Sequence, residues 1–177
     1  MGLCPYASKP FVEEKIRYAV SEAQTDEELI ADVFAEGKLL LDTPVDELVT
    51  TMVVAPLYPE GIEGFYWLYE WLTDTLESED ETELNNAVQP AFFHPDWTFD
   101  GLPAHSALHF EKRSPVPVIN LLRRSDLDYV VEQGLSRGVI VNRDIAEHNV
   151  QALEAEGFDA LTRLFRERLV PPSDLRP

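Results

Sequence analysis

VTTMVVAP, Val49–Pro56, decides how this chain is read. Val49, Thr50, Thr51, Val53 and Val54 are β-branched, and Pro56, Pro59 and Gly61 end the run, so it reads as a strand. Helical patterns flank it. Upstream, TDEE at Thr25–Glu28 has capping-box spacing. Behind it Leu29, Ile30, Val33, Phe34, Gly37, Leu40 and Leu41 recur at three- and four-residue steps until Asp42–Pro44 stops them. Downstream, Ile62, Phe65, Tyr66, Leu68, Tyr69, Leu72 and Leu76 stripe a second helix, with Trp67 and Trp71 beside the stripe.

Two more strands follow. NAVQPAFF, Asn86–Phe93, carries Pro90, which confines it to an edge or a bulge. VPVINLLRR, Val116–Arg124, is the third. The segment after Ser8 is expected to be helical, with Pro10 in the first turn and Phe11, Val12, Ile16, Ala19 and Val20 on one side. SDLD at Ser125–Asp128 opens a short helix that ends near Gly134. Asn142 is expected to cap a helix carrying Ile145, Val150 and Leu153, closed by Gly157, and Phe158, Leu161, Leu164, Phe165 and Leu169 stripe a last one. ESEDETE at Glu77–Glu83 reads as a solvated charge run. The fold class is α+β: a single domain over 1–170, with a small mixed sheet of three or more strands and helices packed on it. Residues 171–177 are expected to be a frayed tail.

The chain has 177 residues, enough to bury a core without disulfides. Its 33 acidic and 14 basic residues leave a net charge of -19. Such a surface repels phosphate backbones and anionic membranes, so neither nucleic acid nor membrane is an expected partner. Many carboxylates with few lysines also suit high salt, and a halophilic or marine source is one expectation; stability that fails to rise toward molar salt would remove it. An ordinary acidic cytoplasmic protein is the alternative. Cys4 is the single cysteine, so there is no internal disulfide. The N-terminus shows no signal-peptide pattern, and cytoplasmic localisation is the default.

Chemistry-bearing residues cluster in the irregular stretch from His94 to Pro117. His94, extended by Pro95, sits at a strand end beside Asp96. Cys4 lies just before a helix start, where a thiolate is stabilised; folded against His94, it would form a nucleophile–base pair. The bland readings are a strand-end histidine bonded to loop backbone and a terminal cysteine with no role. Arg113, Ser114 and Arg123 suggest recognition of an anionic small molecule, unless the arginines pair with the protein's own carboxylates. His105 and His109, four apart, would complete a metal site with His94 only if that piece were helical, which Gly101, Pro103 and Pro115 oppose. No Gly-rich phosphate loop, nucleophile elbow or CxxC pair is present, so no cofactor is named and no metal ligand is assigned.

CPYA at Cys4–Ala7, FHPDWTFDG at Phe93–Gly101, RSPVPVINLLR at Arg113–Arg123 and EHNVQALEAEG at Glu147–Gly157, taken together, resemble the bacterial domain-of-unknown-function family numbered 1415. The resemblance implies that Cys4, His94, Arg113, Ser114, Arg123 and Asn149 belong to one pattern, and raises the expectation that they converge. The chain departs from that pattern at Asn120, where a histidine is expected, and at His148, where an arginine is. The resemblance brings no established activity. The leading expectation is therefore a small enzyme or small-molecule-binding protein, with Cys4, His94 and Asp96 as reactive groups and Arg113, Ser114, Arg123 and Asn149 holding an anionic ligand. A non-catalytic interaction module using Trp67, Trp71 and Trp97 is second, and a metal-dependent enzyme third.

Overall fold

A computed structural model describes residues 3–4, 7–59, 61–77, 84–136 and 140–169. In chain order the elements are α1 (Ser8–Val12), β1 (Ile16–Val20), α2 (Asp26–Asp42), β2 (Thr50–Val54), α3 (Ile62–Glu77), β3 (Val88–Phe93), a 3-10 turn (Ala107–Glu111), β4 (Val118–Arg123), α4 (Arg124–Ser136), α5 (Val141–Glu156) and α6 (Phe158–Leu164), which runs into a π-helical turn (Phe165–Leu169). The charge run at Ser78–Glu83 and the tail 171–177 lie outside the described residues.

Among the described residues the sheet has four strands in the order β1-β2-β4-β3. β1 and β2 are parallel across α2, while β4 runs antiparallel to both β2 and β3. The sheet is thus mixed, the domain is α+β, and β3 is an edge strand, as Pro90 requires.

One expected element is corrected. The helix anticipated across Phe11–Val20 stops at Val12, and Ile16–Val20 is a strand. Glu14 takes a left-handed φ of 57°, which breaks the helix. IRYAV, with β-branched ends and a central tyrosine, then extends along β2. Two helix starts also shift. α4 begins directly at Arg124, so Ser125 does not cap it, and α5 begins at Val141, which places Asn142 inside the first turn. Gly157 closes α5 with φ 78°, the conformation that favours glycine.

Alternation along the strands gives the sheet two faces. The register puts Arg17, Ala19, Thr51, Val53, Ile119, Leu121, Arg123, Val88, Pro90 and Phe92 on one face. α2 and α3 cover it, and Leu29, Val33, Leu40, Phe65, Leu68, Leu72 and Leu76 bury themselves there. Thr25 caps α2 by accepting from the Glu28 N–H, as TDEE announces, while the Glu28 side chain reaches back one residue past the cap and accepts from the Gln24 N–H. Gly37 lies on the buried side of α2, and a Cβ there would come within 2.9 Å of the Leu84 side chain. The second face carries Ile16, Tyr18, Val20, Thr50, Met52, Val54, Asn120 and Leu122, and is much less covered. A smaller apolar cluster of Ala107, Leu153 and Leu161, with Leu3, Leu108 and Phe110 against it, joins the 3-10 turn to α5 and α6.

Candidate functional site

His94 directly follows β3 and is 4% exposed. Its ring lies 5.3 Å from that of Phe65, on the helix-covered face. Its Nδ1 accepts from the Asp96 N–H, which fixes the proton of the neutral ring on Nε2. Its own N–H donates to the Lys112 carbonyl. Asp96 faces Arg113, whose Nε donates to the Trp97 carbonyl at 3.2 Å. The Arg113 guanidinium stacks on Phe110 at 4.7 Å and reaches Phe158. Burial lowers its pKa, and the Asp96 charge opposes that. Ser114 bonds the Val116 carbonyl, and buried Asn149 on α5 donates to Glu111 at 2.8 Å.

These bonds have one result in common. Glu111, Lys112, Arg113 and Ser114 are consecutive, and each fastens the loop to a different place: α5, His94, Trp97 and the approach to β4. A long loop inside a compact domain carries many backbone groups that must be satisfied, and side chains of this kind satisfy them. His94, Asp96, Arg113, Ser114 and Asn149 therefore meet around the loop, and Arg113 is engaged by protein groups.

Arg123 sits elsewhere. Its guanidinium is buried on the covered face and donates to the carbonyls of Leu40 and Thr43, where α2 ends, and of Leu48 in the segment leading to β2. Helix C-termini present unpaired carbonyls and a partial negative charge, so this arginine serves as a cap in trans. His109 is likewise absorbed: Nδ1 accepts from the Phe99 N–H and Nε2 donates to the Pro103 carbonyl. With both nitrogens bonded to backbone it has none left for a metal, and exposed His105 packs edge-on to Phe158. Among the described residues no three His, Cys, Asp or Glu side chains group as a metal site.

Cys4 is exposed and belongs to the other face. It borders a cleft of about 510 Å³ between α1, α4 and the sheet, whose floor is Ile16, Thr50, Met52, Asn120 and Leu122. His94 lies against Phe65 on the opposite face, so the sheet separates the thiol from the imidazole. The expected convergence of Cys4 with His94 does not occur, because β3 delivers His94 to the face that α3 covers.

The cleft has the composition of a small-molecule site, with apolar walls and a few polar groups. Thr50 Oγ1 donates within reach of Asn120 Oδ1 at 2.6 Å and of the Leu121 carbonyl at 2.8 Å. With Oδ1 engaged, Asn120 keeps its amide N–H groups for a ligand. Lys9 and Lys15 border the cleft with Glu13 and Asp126, while Arg123 lines it with its guanidinium turned away to the covered face. Lys15 lies 2.8 Å from Glu13, and that hydrogen bond is the main reason the Glu13 pKa falls. Thr50, Met52 and Asn120 escaped the sequence reading as site residues. The available signal was the two-residue period of a strand, which sets Thr50 and Met52 of VTTMVV on one side, and Asn120 as the one amide in VINLLR.

The family pattern that describes "Protein of unknown function (DUF1415)" matches residues 1–163. The chain belongs to the DUF1415 family. No curated protein and no solved structure matches it. In this DUF1415 member, the motif FHPDW and the motif RSP build the loop, and Cys4 and Ala7 border the cleft. Among the described residues no helix is long and apolar enough to cross a membrane.

Proposed function

We propose that the protein binds a small molecule with an apolar body and an anionic group in the cleft beside Cys4. The observation that carries this reading is the cleft itself, an apolar hollow of about 510 Å³ with Asn120 in its floor and lysines at its rim. In a chain of net charge -19, a rim where Lys9 and Lys15 balance Glu13 and Asp126 repels an anion less than the rest of the surface does. Cys4 stands at the mouth, within reach of an electrophilic group on the bound molecule. A lone free thiol is consistent with a reducing compartment, and we place the protein in the cytoplasm.

The test uses 8-anilinonaphthalene-1-sulfonate, which combines an apolar body with an anion. Its emission should rise saturably with the protein, and Met52→Glu should weaken binding by about tenfold or more. Bound dye should also slow alkylation of Cys4 by iodoacetamide. Equal binding by the Met52→Glu protein, with Cys4 unprotected, would overturn the proposal.

A further inference from the structure

Trp67 and Trp71, beside the apolar stripe of α3, have no part in the loop or in the Cys4 cleft. α3 buries Phe65, Leu68, Leu72 and Leu76 in the core. Steps of three and four residues set Glu63, Trp67, Glu70, Trp71 and Asp74 on the opposite side of the helix, and all five are exposed. Trp67 is 74% exposed and Trp71, one turn on, 47%; Tyr66 beside them is 43% exposed. Trp97 is 6% exposed and packs against Tyr66 and Tyr69, so the surface expected from three tryptophans is built from two and a tyrosine.

A single exposed apolar side chain is ordinary, but two tryptophans one turn apart on the solvent side of a helix form a patch. Tryptophan offers a large rigid area and is enriched among the residues that carry the binding energy of interfaces.

The charges around the indoles give the sign of the partner. Glu63, Glu70 and Asp74 flank them, and α3 has no lysine or arginine of its own. At the end of the helix Arg124 meets Glu77 at 3.5 Å. Glu63, Glu70 and Asp74 have no ion-pair partner among the described residues. Indoles ringed by carboxylates match a planar cation, which stacks on the rings while its N–H groups reach the carboxylates. A guanidinium does both; an ammonium is compact and holds its water more tightly. A second copy is opposed by the -19 on each chain, and its α3 has no base to offer.

We propose that the outer face of α3 docks an arginine-bearing segment of another protein. Its guanidinium groups stack on Trp67 and Trp71 and bond to Glu63, Glu70 and Asp74. Every group it uses is an exposed side chain, so docking requires no opening of the core.

The test uses the whole protein and two short fluorescent peptides, one alternating arginine with serine, the other lysine with serine. At physiological ionic strength the arginine peptide should bind about tenfold or more tighter than the lysine peptide. Replacing both indoles, Trp67→Leu with Trp71→Leu, should weaken the arginine peptide by about tenfold or more and remove its advantage. Thermal melts establish that this variant folds. Glu70→Lys should weaken the arginine peptide more than Glu154→Lys, an equal change of charge at an exposed position on α5. Intrinsic tryptophan emission should change on binding, since two of the three indoles lie on this face. The proposal is overturned by absence of binding, by equal affinity for the two peptides, by an arginine preference that survives loss of both indoles, or by equal losses from the two charge reversals. It is also overturned by a wild type that self-associates where the tryptophan variant does not, which would give the face to a second copy.

Discussion

The two faces of the sheet are built from alternate residues of the same strands, and they do opposite jobs. Thr51, Val53, Ile119, Leu121 and Arg123 point to the covered face, which α2 and α3 pack against. Thr50, Met52, Asn120 and Leu122 point to the other, where the Cys4 cleft stays open. A change on the covered face should therefore register as lost stability, and a change on the open face as altered binding. The most sensitive point is Arg123. Arg123→Met keeps the apolar stem but leaves two carbonyls at the end of α2, and the Leu48 carbonyl in the segment after it, without their donor. Charge-assisted bonds of this sort are worth enough that about 3 kcal/mol should be lost. Urea denaturation measures it; a loss below about 1 kcal/mol would mean that water reaches those carbonyls, and the covered face is less sealed than it looks.

Neighbouring residues give the next contrast. Val53 is 1% exposed, while Met52 beside it is half-buried over the cleft. Val53→Ala should cost about 2 kcal/mol, by lost burial and the cavity it leaves. Met52→Ala should cost less than about 1 kcal/mol, while lowering affinity for an apolar anionic dye. Equal stability losses from the two substitutions would break the distinction between the faces.

The same contrast explains which parts were legible in the sequence. Covered elements announce themselves in the residue pattern: the stripes of α2 and α3, the β-branched run VTTMVV, and Pro90 on an edge strand were all readable. IRYAV was not. Its residues fit a helical stripe as well as a strand, and only pairing with β2 decides between them. The histidines and arginines misled for a related reason. A polar residue type does not disclose its partner. His94, Arg113 and Arg123 are committed to backbone, the histidine ring to the Asp96 N–H two residues on and the arginines to carbonyls 16 to 83 residues away. Nor does a local motif disclose which face a strand end reaches, so Cys4 and His94 could be expected to meet when the sheet keeps them apart. Of the proposed site residues, Cys4 reaches the cleft mouth, and Arg123 borders it with its guanidinium turned to α2.

Lys112 refines the comparison, because it covers the His94 end of the otherwise open face. Its ammonium lies 5.0 Å above the Phe93 ring. Burial lowers its pKa from the ordinary 10.5, with Glu111 partly opposing. Between the depressed value and 10.5 the unfolded chain holds more protons than the folded one, so stability should rise with pH across that alkaline interval. At neutral pH both states are protonated and the penalty for the buried charge is present in full. Lys112→Met should therefore flatten the alkaline rise. Denaturation midpoints from neutral pH to about the ordinary lysine pKa would show it, and an unchanged slope would place the ammonium in water.

Tyr18 tests the open face at its most exposed. It is 56% exposed on β1, opposite Met52 in register, with its side chain away from α2. Tyr18→Ser removes a large aromatic group, yet should shift stability by no more than about 0.5 kcal/mol, since surface changes without specific contacts rarely do more. The informative alternative is a larger loss that grows with protein concentration. Only association that buries Tyr18 produces that dependence, because stability gained from a partner follows mass action. Melting the wild type and the variant over a wide range of concentration separates the two. A concentration-independent melt for both keeps the face open and the cleft accessible. A dependence lost on substitution would instead make this face an interface, and the ligand of the cleft would have to share it.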